Sequence, residues 1–265
     1  MERNGSLSPA TEQLMRAARS ISAVGVRDTL TLRHLRVLTR RVWRLSWREL
    51  QGALSLPYCP CCGEPEPFLP LDRLCEDCME ELKRLSFEAE PLGTGRDRLL
   101  LRAIFAYRGS GGRLVRRAKF EKDFSALGFL GRSLAARAGS LPQTRRLLVP
   151  VPLARQRRKE RGFNQAVELA RFVSRRLKAP VVERALRRGR ETVPQGQAGP
   201  GARARNVKDA FVPGRAAWRI RGERVVLIDD VVTSGATICE CARVLRECGA
   251  REVSALCVAS SKRMP

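Results

Sequence analysis

The amino-acid sequence predicts an α/β domain with a mostly parallel sheet flanked by helices, preceded by a small cysteine-rich module. Short apolar runs such as VVLI (225–228) alternate with segments of helical periodicity across residues 99–260. Two Cys-x-x-Cys pairs stand before this region, in a stretch punctuated by proline and glycine. With 265 residues, 43% of them apolar, the chain is long enough for one full domain and one small module.

The distribution of charge divides the chain into three predicted regions. Residues 1–50 carry ten arginines and four acids, and residues 51–98 carry five basic and ten acidic side chains. Residues 99–265 hold the other 36 basic and 13 acidic side chains, so the main domain should attract polyanions, either nucleic acids or phosphorylated small molecules. The alternative is a general bias toward arginine, because the chain has only seven lysines.

The first region, residues 1–50, is predicted to be a basic and partly helical extension. Apolar residues recur there near helical spacing, between arginines: Leu35, Leu38, Val42, Leu45 and Leu54. Such a helix packs on a neighbouring domain or lies on a membrane or a nucleic acid. No apolar run is long enough to span a membrane, and no signal peptide is recognisable. We therefore expect a cytoplasmic protein without stable membrane insertion.

The second region, residues 51–90, is predicted to be a zinc-ribbon module. Cys59 and Cys62 form one Cys-x-x-Cys pair, and Cys75 and Cys78 form another twelve residues later. Two such pairs favour a tetrahedral Zn²⁺ site with a structural role, since four thiolates leave no open position for catalysis. Cys61 could replace a neighbour as ligand. Disulfides or an iron–sulfur centre are the alternative interpretations of the same pattern.

The third region, residues 99–265, begins with strand and helix signals in alternation. AIFAYRGSGGRLVRRAKF (103–120) predicts a strand, a glycine-rich turn and a basic helix, and FSALGFLGRSLAARAG (124–139) predicts a helix that ends at Gly139. RRLLVPVPL (145–153) predicts a short strand interrupted by prolines. NQAVELARFVSRRL (164–177) predicts a helix with one apolar face.

The remainder of this region predicts a long loop, two strands and a helix. Residues 187–206 have almost no large apolar side chains and should form an exposed loop. RVVLIDD (224–230) is predicted to be a buried strand, and TICECARVLREC (237–248) a helix terminated by Gly249. VSALCVAS (253–260) is predicted to be the closing buried strand.

Two adjacent carboxylates and a hydroxyl-rich turn mark the predicted ligand site. Asp229 and Asp230 follow VVLI at the carboxyl end of a strand, the edge at which open α/β sheets bind ligands. Thr233 to Thr237 then lead into the next helix, whose N–H groups and dipole suit a phosphate. Carboxylates suit sugar hydroxyls or a hydrated Mg²⁺. The pattern therefore predicts a phosphorylated sugar as ligand.

VVLIDDVVTSGAT (225–237) resembles the phosphoribosyl-pyrophosphate (PRPP) loop of type I phosphoribosyltransferases. It has four hydrophobic residues, two acids, two variable residues and T-[ST]-G-x-[ST]. The resemblance implies a type I phosphoribosyltransferase-like fold in which Asp229 and Asp230 are the catalytic pair on the ribose hydroxyls. It also implies a 5′-phosphate site made of five consecutive residues: Thr233, Ser234, Gly235, Ala236 and Thr237.

Three further segments resemble the ComF family, named for competence for DNA uptake: FAYRGSGGRLVRRAKF (105–120), VPVPLARQRRKERGFNQA (149–166) and ETVPQGQAGPGARARNVKDAF (191–211). A zinc module ahead of a phosphoribosyltransferase-like domain is also the ComF arrangement, and the resemblance covers roughly residues 42–262. It implies that the backbone at Val151 and Pro152 turns toward the pyrophosphate. Lys119 and Arg203 are implied as anion ligands, and the basic segment adds further candidates: Arg155, Arg158, Arg161 and Asn164.

The resemblance implies a protein that binds PRPP or a related phosphoribosyl compound, with Mg²⁺, and that is associated with competence. If it is a transferase, a nucleophile displaces pyrophosphate from C1 of PRPP, and the sequence names no acceptor. One alternative is a single-stranded-DNA-binding accessory protein that works alongside a competence helicase. The other is a PRPP-sensing regulator without turnover.

Overall fold

A computed structural model describes residues 57–66, 69–70, 73–95, 98–141, 144–189 and 207–261. All of these belong to one compact unit, Leu56–Pro265, and the chain's other unit is Met1–Ser55. The predicted helical extension and Arg203 fall outside the described residues. None of the described helices is both long enough and apolar enough to cross a membrane.

Five strands form the central sheet, in the spatial order β1-β2-β7-β6-β3. They are β1 (Glu90–Leu92), β2 (Leu99–Ala106), β3 (Leu147–Pro150), β6 (Arg224–Val232) and β7 (Glu252–Ser260). The last four pair in parallel, and β1 adds an antiparallel edge to β2. Parallel strands need helical crossovers, which is why helices separate them along the chain. The mostly parallel sheet flanked by helices is confirmed.

In the described part of the chain, six α-helices accompany the sheet: α1 (Glu76–Arg84), α2 (Gly109–Arg116), α3 (Phe124–Ala138), α4 (Arg155–Arg161), α5 (Gln165–Leu177) and α6 (Ala236–Glu247). A π-helix, Arg117–Glu121, continues α2, and a 3₁₀-helix spans Ala217–Ile220. A separate two-stranded antiparallel sheet joins β4 (Leu186–Arg188) and β5 (Phe211–Pro213).

The alternation of side chains along each strand builds two cores, one on each face of the sheet. On one face, Leu148, Val226 and Leu256 join a cluster that contains residues of α3 and α5. On the other face, Leu227 and Cys257 join a cluster that contains residues of α6 and of the two-stranded sheet. The sheet is thus covered on both sides, as its continuous apolar strands predict.

The cysteine-rich module shares the first of these cores. Cys59, Leu74 and Cys78 belong to the same cluster of buried residues as Leu114 and Leu127. Glu81 of the module's helix, α1, also accepts hydrogen bonds from Ser110 and Arg113 of α2. Burial of module residues and domain residues in one cluster ties the stability of the two parts together.

The sequence located most long elements within one or two residues and missed the short ones. The helices at 124–138, 165–177 and 236–247 and the strands at 224–232 and 252–260 match their predicted positions. Strand β6 runs two residues past the predicted end, because Val231 and Val232 still pair with β7. Strands β1, β4 and β5 were not predicted, since three residues are too few to show periodicity.

Candidate functional site

A pocket of about 220 Å³ opens at the carboxyl edge of the parallel strands. It is bordered by the end of β6, the loops after β2 and β3, the π-helix and the start of α6. Its lining combines carboxylates, cations and hydroxyls: Tyr107, Lys119, Val151, Pro152, Leu153, Ala154, Arg157, Arg161, Asn164, Gln165, Arg188, Asp229, Asp230, Val231, Thr233 and Thr237. The structure therefore brings together most of the residues that the sequence assigned to one site.

Asp229 and Asp230 both line this pocket from within β6. Because consecutive strand residues face opposite sides, the two side chains leave the strand in different directions. The backbone N–H of Asp230 donates a hydrogen bond of 2.8 Å to Oδ1 of Asp229. This bond fixes the Asp229 carboxylate while Asp230 points toward the π-helix.

Lys119 forms an ion pair with Asp230, with 2.9 Å between Nζ and Oδ1 and both side chains about 15% exposed. The sequence expectation was that Lys119 would bind a phosphate, whereas here its ammonium contacts a carboxylate. Lys119 lies in the π-helix Arg117–Glu121, and single π-helical turns occur frequently at functional sites. The contact joins the π-helix to β6, over more than a hundred residues of chain.

The charge state of Asp229 is strongly affected by its surroundings. Burial and the like charge of Asp230 together raise the pKa of Asp229 to about 7, although Lys119 and the N–H of Asp230 oppose the rise. Removing a carboxylate from water disfavours its charged form, and a second carboxylate nearby has the same effect. Without a ligand, Asp229 is therefore poised to exchange a proton near neutral pH.

The turn after β6 presents the start of α6 to the pocket. Thr233 and Thr237 line the pocket, whereas Ser234 is exposed and its hydroxyl lies 3.5 Å from the N–H of Ala236. Gly235 is the N-cap of α6, with φ of 83°. A Cβ at this position would lie 2.3 Å from a methyl group of Leu92, so both the dihedral and the packing require glycine.

The loop after β3 is held by two hydrogen bonds to the backbone of Val151. The N–H of Val151 donates to Ile228 O at 2.9 Å, and the side-chain amide of Asn164 donates to Val151 O at 3.0 Å. Val151 and Pro152 line the pocket. Neither can donate a backbone hydrogen bond to a ligand, because the Val151 N–H is already bonded within the sheet and Pro152 has no N–H. Any backbone donor to a ligand from this loop would therefore come from the residues that follow.

The basic segment contributes Arg157 and Arg161 to the pocket, so one of the three arginines that the family resemblance implied lines it. Arg161 lines the pocket, and burial lowers its pKa, while Arg155 and Arg158 are exposed and lie outside the lining. Arg161 donates to Gln165 Oε1 at 3.1 Å and lies over the ring of Phe120 at 5.2 Å. Arg157 replaces the two exposed arginines in the lining.

Two further lining residues, Tyr107 and Arg188, were not assigned by the sequence. Tyr107 follows β2, and its N–H donates to Ser260 O at 2.7 Å. Arg188 ends β4, its guanidinium lies 5.0 Å from the ring of Phe211, and its Nε donates to Pro152 O at 3.4 Å. The sheet topology brings these two residues to the pocket. No local spacing pattern in the sequence therefore predicts that they line it.

Four cysteine thiols form a second cluster. The sulfur atoms of Cys59, Cys62, Cys75 and Cys78 all lie within 4.8 Å of one another, so these residues could hold a metal ion. Cys61 is not a member of this group of four, and its thiol donates to Ser110 O at 3.5 Å.

Backbone N–H groups surround the sulfur of Cys59. The N–H groups of Cys61 and Cys75 lie 3.4 and 3.3 Å from this sulfur. Burial raises the pKa of the Cys59 thiol, but these backbone donors and that of Cys62 outweigh it and bring the pKa down to about 7. Donors that stabilise a thiolate suit a cluster that binds a soft cation.

The family described as "Phosphoribosyl transferase domain" matches residues 164–264, which contain α5, β6, α6 and β7. DNA utilization protein YhgH of Salmonella typhi is 31% identical over 219 residues, 80% of this chain and 86% of that protein. Competence protein F of Haemophilus influenzae is 29% identical over 204 residues, 75% of this chain and 82% of that protein. Competence protein ComFC of Bacillus subtilis is 29% identical over 195 residues, 72% of each chain.

These matches cover 72% to 80% of this chain, which is more than residues 99–265 alone account for. They accompany a mostly parallel sheet with the acidic pair and the hydroxyl-rich turn at its carboxyl edge. The chain belongs to the ComF family.

Proposed function

We propose that the pocket binds PRPP or a related phosphoribosyl compound, and that this binding serves a role in competence and DNA uptake. The observation that carries the proposal is the joint placement of Asp229, Asp230, Thr233 and Thr237 in one pocket at the start of α6. Carboxylates accept hydrogen bonds from ribose hydroxyls, while threonine hydroxyls and the N-terminus of a twelve-residue helix bind a phosphate.

In this proposal the pyrophosphate lies toward the cationic side of the pocket. Arg157, Arg161 and Arg188 line that side and would neutralise anionic oxygens through charge-assisted hydrogen bonds. A Mg²⁺ ion, held by carboxylate and pyrophosphate oxygens, would supply further charge neutralisation. The ion pair between Lys119 and Asp230 would break when the ribose hydroxyls bind. Lys119 would then be free to contact the departing pyrophosphate.

Transferase turnover would break the bond between C1 and the pyrophosphate oxygen while a nucleophile forms a new bond to C1. The chain's contribution would be positioning and electrostatic stabilisation of the departing pyrophosphate, since no residue needs to act as a covalent nucleophile. Pyrophosphate release in the presence of candidate acceptors distinguishes this transferase from a PRPP sensor, which would bind without releasing it.

The four-cysteine cluster we assign to a structural Zn²⁺ ion. Four thiolates at mutual sulfur distances below 4.8 Å, with N–H groups directed at Cys59, match the donor set of closed tetrahedral sites. The module over residues 51–90 would then be a small zinc-ribbon organised around the ion. It would pack against the phosphoribosyltransferase-like domain over residues 99–265.

Calorimetric titration with PRPP and Mg²⁺ tests the ligand assignment. We expect Asp230→Asn to weaken PRPP binding at least tenfold, because it removes a charged acceptor of the ribose hydroxyls. Asp209→Asn, at a carboxylate that is 70% exposed and outside the pocket, serves as the matched control and should bind like wild type. Absence of any heat with wild type, or equal affinity in the two variants, would refute the proposal.

A second candidate function, single-stranded DNA binding, is favoured by an aromatic surface beside the pocket. Phe120 and Phe124 are 67% and 69% exposed, although aromatic side chains of this size are usually buried. Phe124 stacks with Phe163 at 5.9 Å between ring centroids, and Arg161 lies over Phe120. Aromatic platforms next to arginines bind nucleobases and backbone phosphates together.

Fluorescence anisotropy with a labelled oligonucleotide tests this candidate. Phe124→Ala should weaken binding about fivefold or more, because stacking contributes roughly 1–3 kcal/mol per base. Trp218→Ala, at an aromatic residue that is 78% exposed and away from this surface, is the control. If both variants bind the oligonucleotide as tightly as wild type, this surface is not the DNA site.

A further inference from the structure

A second pocket, of about 260 Å³, lies at the amino-terminal edge of the central sheet. Three arginines and one glutamate line it: Arg102, Arg146, Arg224 and Glu252. Its other lining residues are apolar or carry hydroxyls: Leu100, Leu141, Thr144, Val225, Val226 and Ser254. Because Arg224 begins β6 and Asp229 stands five residues later, about 17 Å of strand separates this pocket from the first one.

Strand register explains why these side chains meet. Arg224 pairs with Glu252 and Val226 pairs with Ser254 in the β6–β7 ladder, while Arg102 pairs with Leu256 in the β2–β7 ladder. All of these residues have even numbers, and the strand register pairs even-numbered residues with even-numbered residues of the neighbouring strand. Side chains that alternate along strands therefore place them on one face, at the amino-terminal edge of the sheet.

Arg146 is the most informative member of this arginine cluster (Arg102, Arg146 and Arg224). It is only 8% exposed, and its Nε and Nη2 donate to Thr144 O at 3.0 Å and Thr144 Oγ1 at 3.2 Å. Within the described ranges, neither Arg146 nor Arg102 forms an ion pair. Arg117 and Arg113, by contrast, contact carboxylates at 2.8 and 2.6 Å.

A buried guanidinium without an anionic partner is unfavourable, because burial removes its hydration and only a counter-charge replaces that hydration. Burial lowers the pKa of Arg146, and Arg224 and Arg102 lower it further, with only Glu252 acting in the opposite direction. Glu252 is itself engaged by Arg224, at 3.1 Å between Oε2 and Nε. The cluster therefore keeps an excess of positive charge inside a concave site.

We propose that the arginine cluster binds a phosphoryl dianion, either a phosphomonoester or a diphosphate, at a site separate from the pocket at the carboxyl edge. The guanidinium groups offer charge-assisted donors, and the hydroxyls of Thr144 and Ser254 add neutral ones. The apolar side chains of the lining would contact the organic part of a phosphomonoester. A nucleic-acid backbone presents phosphate oxygens as well, but with a single charge on each phosphate.

Calorimetric titration with inorganic diphosphate, in low-salt chloride buffer, tests the site on the full chain. The variants are Arg146→Met and Arg102→Met, which remove one guanidinium each while keeping an unbranched apolar side chain. Arg145→Met is the matched control, because Arg145 is adjacent in sequence but 81% exposed and outside the cluster. A parallel titration uses an unlabelled oligothymidine as the source of phosphodiesters.

We expect Arg146→Met and Arg102→Met to weaken one diphosphate-binding event at least tenfold, with Arg145→Met unchanged. If wild type shows two events, the second one, assigned to the carboxyl-edge pocket, should persist in both variants. If wild type shows a single diphosphate-binding event and Arg146→Met abolishes it, this site is supported. The pocket at the carboxyl edge then does not bind diphosphate. Unchanged binding in both variants would overturn the proposal. Equal weakening by Arg145→Met, or loss of oligothymidine binding without loss of diphosphate binding, would also overturn it.

Discussion

Asp229 shows how one residue can limit stability at the place where a ligand is expected to bind. Its carboxylate is surrounded by protein atoms and lies beside Asp230, and both influences raise its pKa to about 7. A folded-state pKa above the ordinary value of 3.8 means that the folded chain retains the proton over a range where the unfolded chain has lost it. Stability is then lost as the pH rises through this range.

Asp229→Asn should therefore stabilise the ligand-free protein increasingly as the pH rises. The difference in Tm between variant and wild type should grow between pH 5 and pH 8 and then level off, reaching at least about 2–4 °C for a domain of this size. Thermal unfolding in the absence of divalent cations measures it, with Asp209→Asn expected to show no such trend. A difference that stays constant or shrinks over this pH range would contradict the assigned pKa.

Gly235→Ala should destabilise the fold by roughly 2–4 kcal/mol, because a positive φ costs about 1–2 kcal/mol and a clash with buried Leu92 adds to it. Gly222→Ala separates the two causes, since Gly222 also has a positive φ of 75° but nothing within 4 Å of its Cβ position. Urea unfolding of both variants measures the difference. Equal losses in the two variants would show that Leu92 accommodates the methyl group.

At the scale of elements, the π-helix Arg117–Glu121 connects the cysteine-rich module to the carboxylate pair. Arg117 donates to Asp123 Oδ2 at 3.1 and 2.8 Å, and its guanidinium lies 5.7 Å from the ring of Tyr58. Asp123 in turn caps α3 by accepting from the N–H groups of Ser125 and Ala126. Two residues after Arg117, Lys119 reaches Asp230.

Arg117→Met should destabilise the protein by roughly 2–4 kcal/mol, because it leaves the largely buried Asp123 carboxylate without its cationic partner. Arg84→Met is the control, since its ion pair with Glu80 is exposed on both sides and should contribute less than about 0.5 kcal/mol. Denaturant unfolding gives both values. A loss for Arg117→Met no larger than that for Arg84→Met would show that the helix cap alone suffices to hold Asp123.

For the whole molecule, the shared core implies that the cysteine-rich module and the larger domain unfold together. Cys59, Leu82 and Leu85 are buried in the same cluster as residues of α2, α3 and β2. The polar contact of Glu81 with Arg113 and the Ser110 hydroxyl adds a second connection across the same boundary. A change in metal binding should therefore affect the entire unit.

Removal of the metal with a strong chelator should lower the Tm of the unit in a single transition, because metal binding energy contributes directly to folding. Cys59→Ala should lose the bound metal, whereas Cys61→Ala should keep one equivalent, since its thiol faces Ser110 O. Elemental analysis and calorimetry measure these outcomes. Two separated thermal transitions, or loss of metal in Cys61→Ala, would be incompatible with this arrangement.

The sequence by itself determined the features that depend on neighbours along the chain. The Cys-x-x-Cys pairs, the acidic pair before the hydroxyl-rich turn, and the long helices and strands all produce local patterns, because thiol spacing and side-chain periodicity are local properties. The parallel arrangement of the sheet also followed, since helices separate its strands. Asp229, Asp230, Thr233 and Thr237 were thus placed at the carboxyl edge before the fold was known.

Only the tertiary structure decided which distant residues meet. The packing of the elements brings Tyr107 and Arg188 to the pocket, directs Lys119 to Asp230 instead of an open position, and places the Cys61 thiol against Ser110 O. It also gathers Arg102, Arg146 and Arg224 at the opposite edge of the sheet. These contacts depend on register and crossover between segments far apart in sequence, and no local pattern of residues encodes such distances.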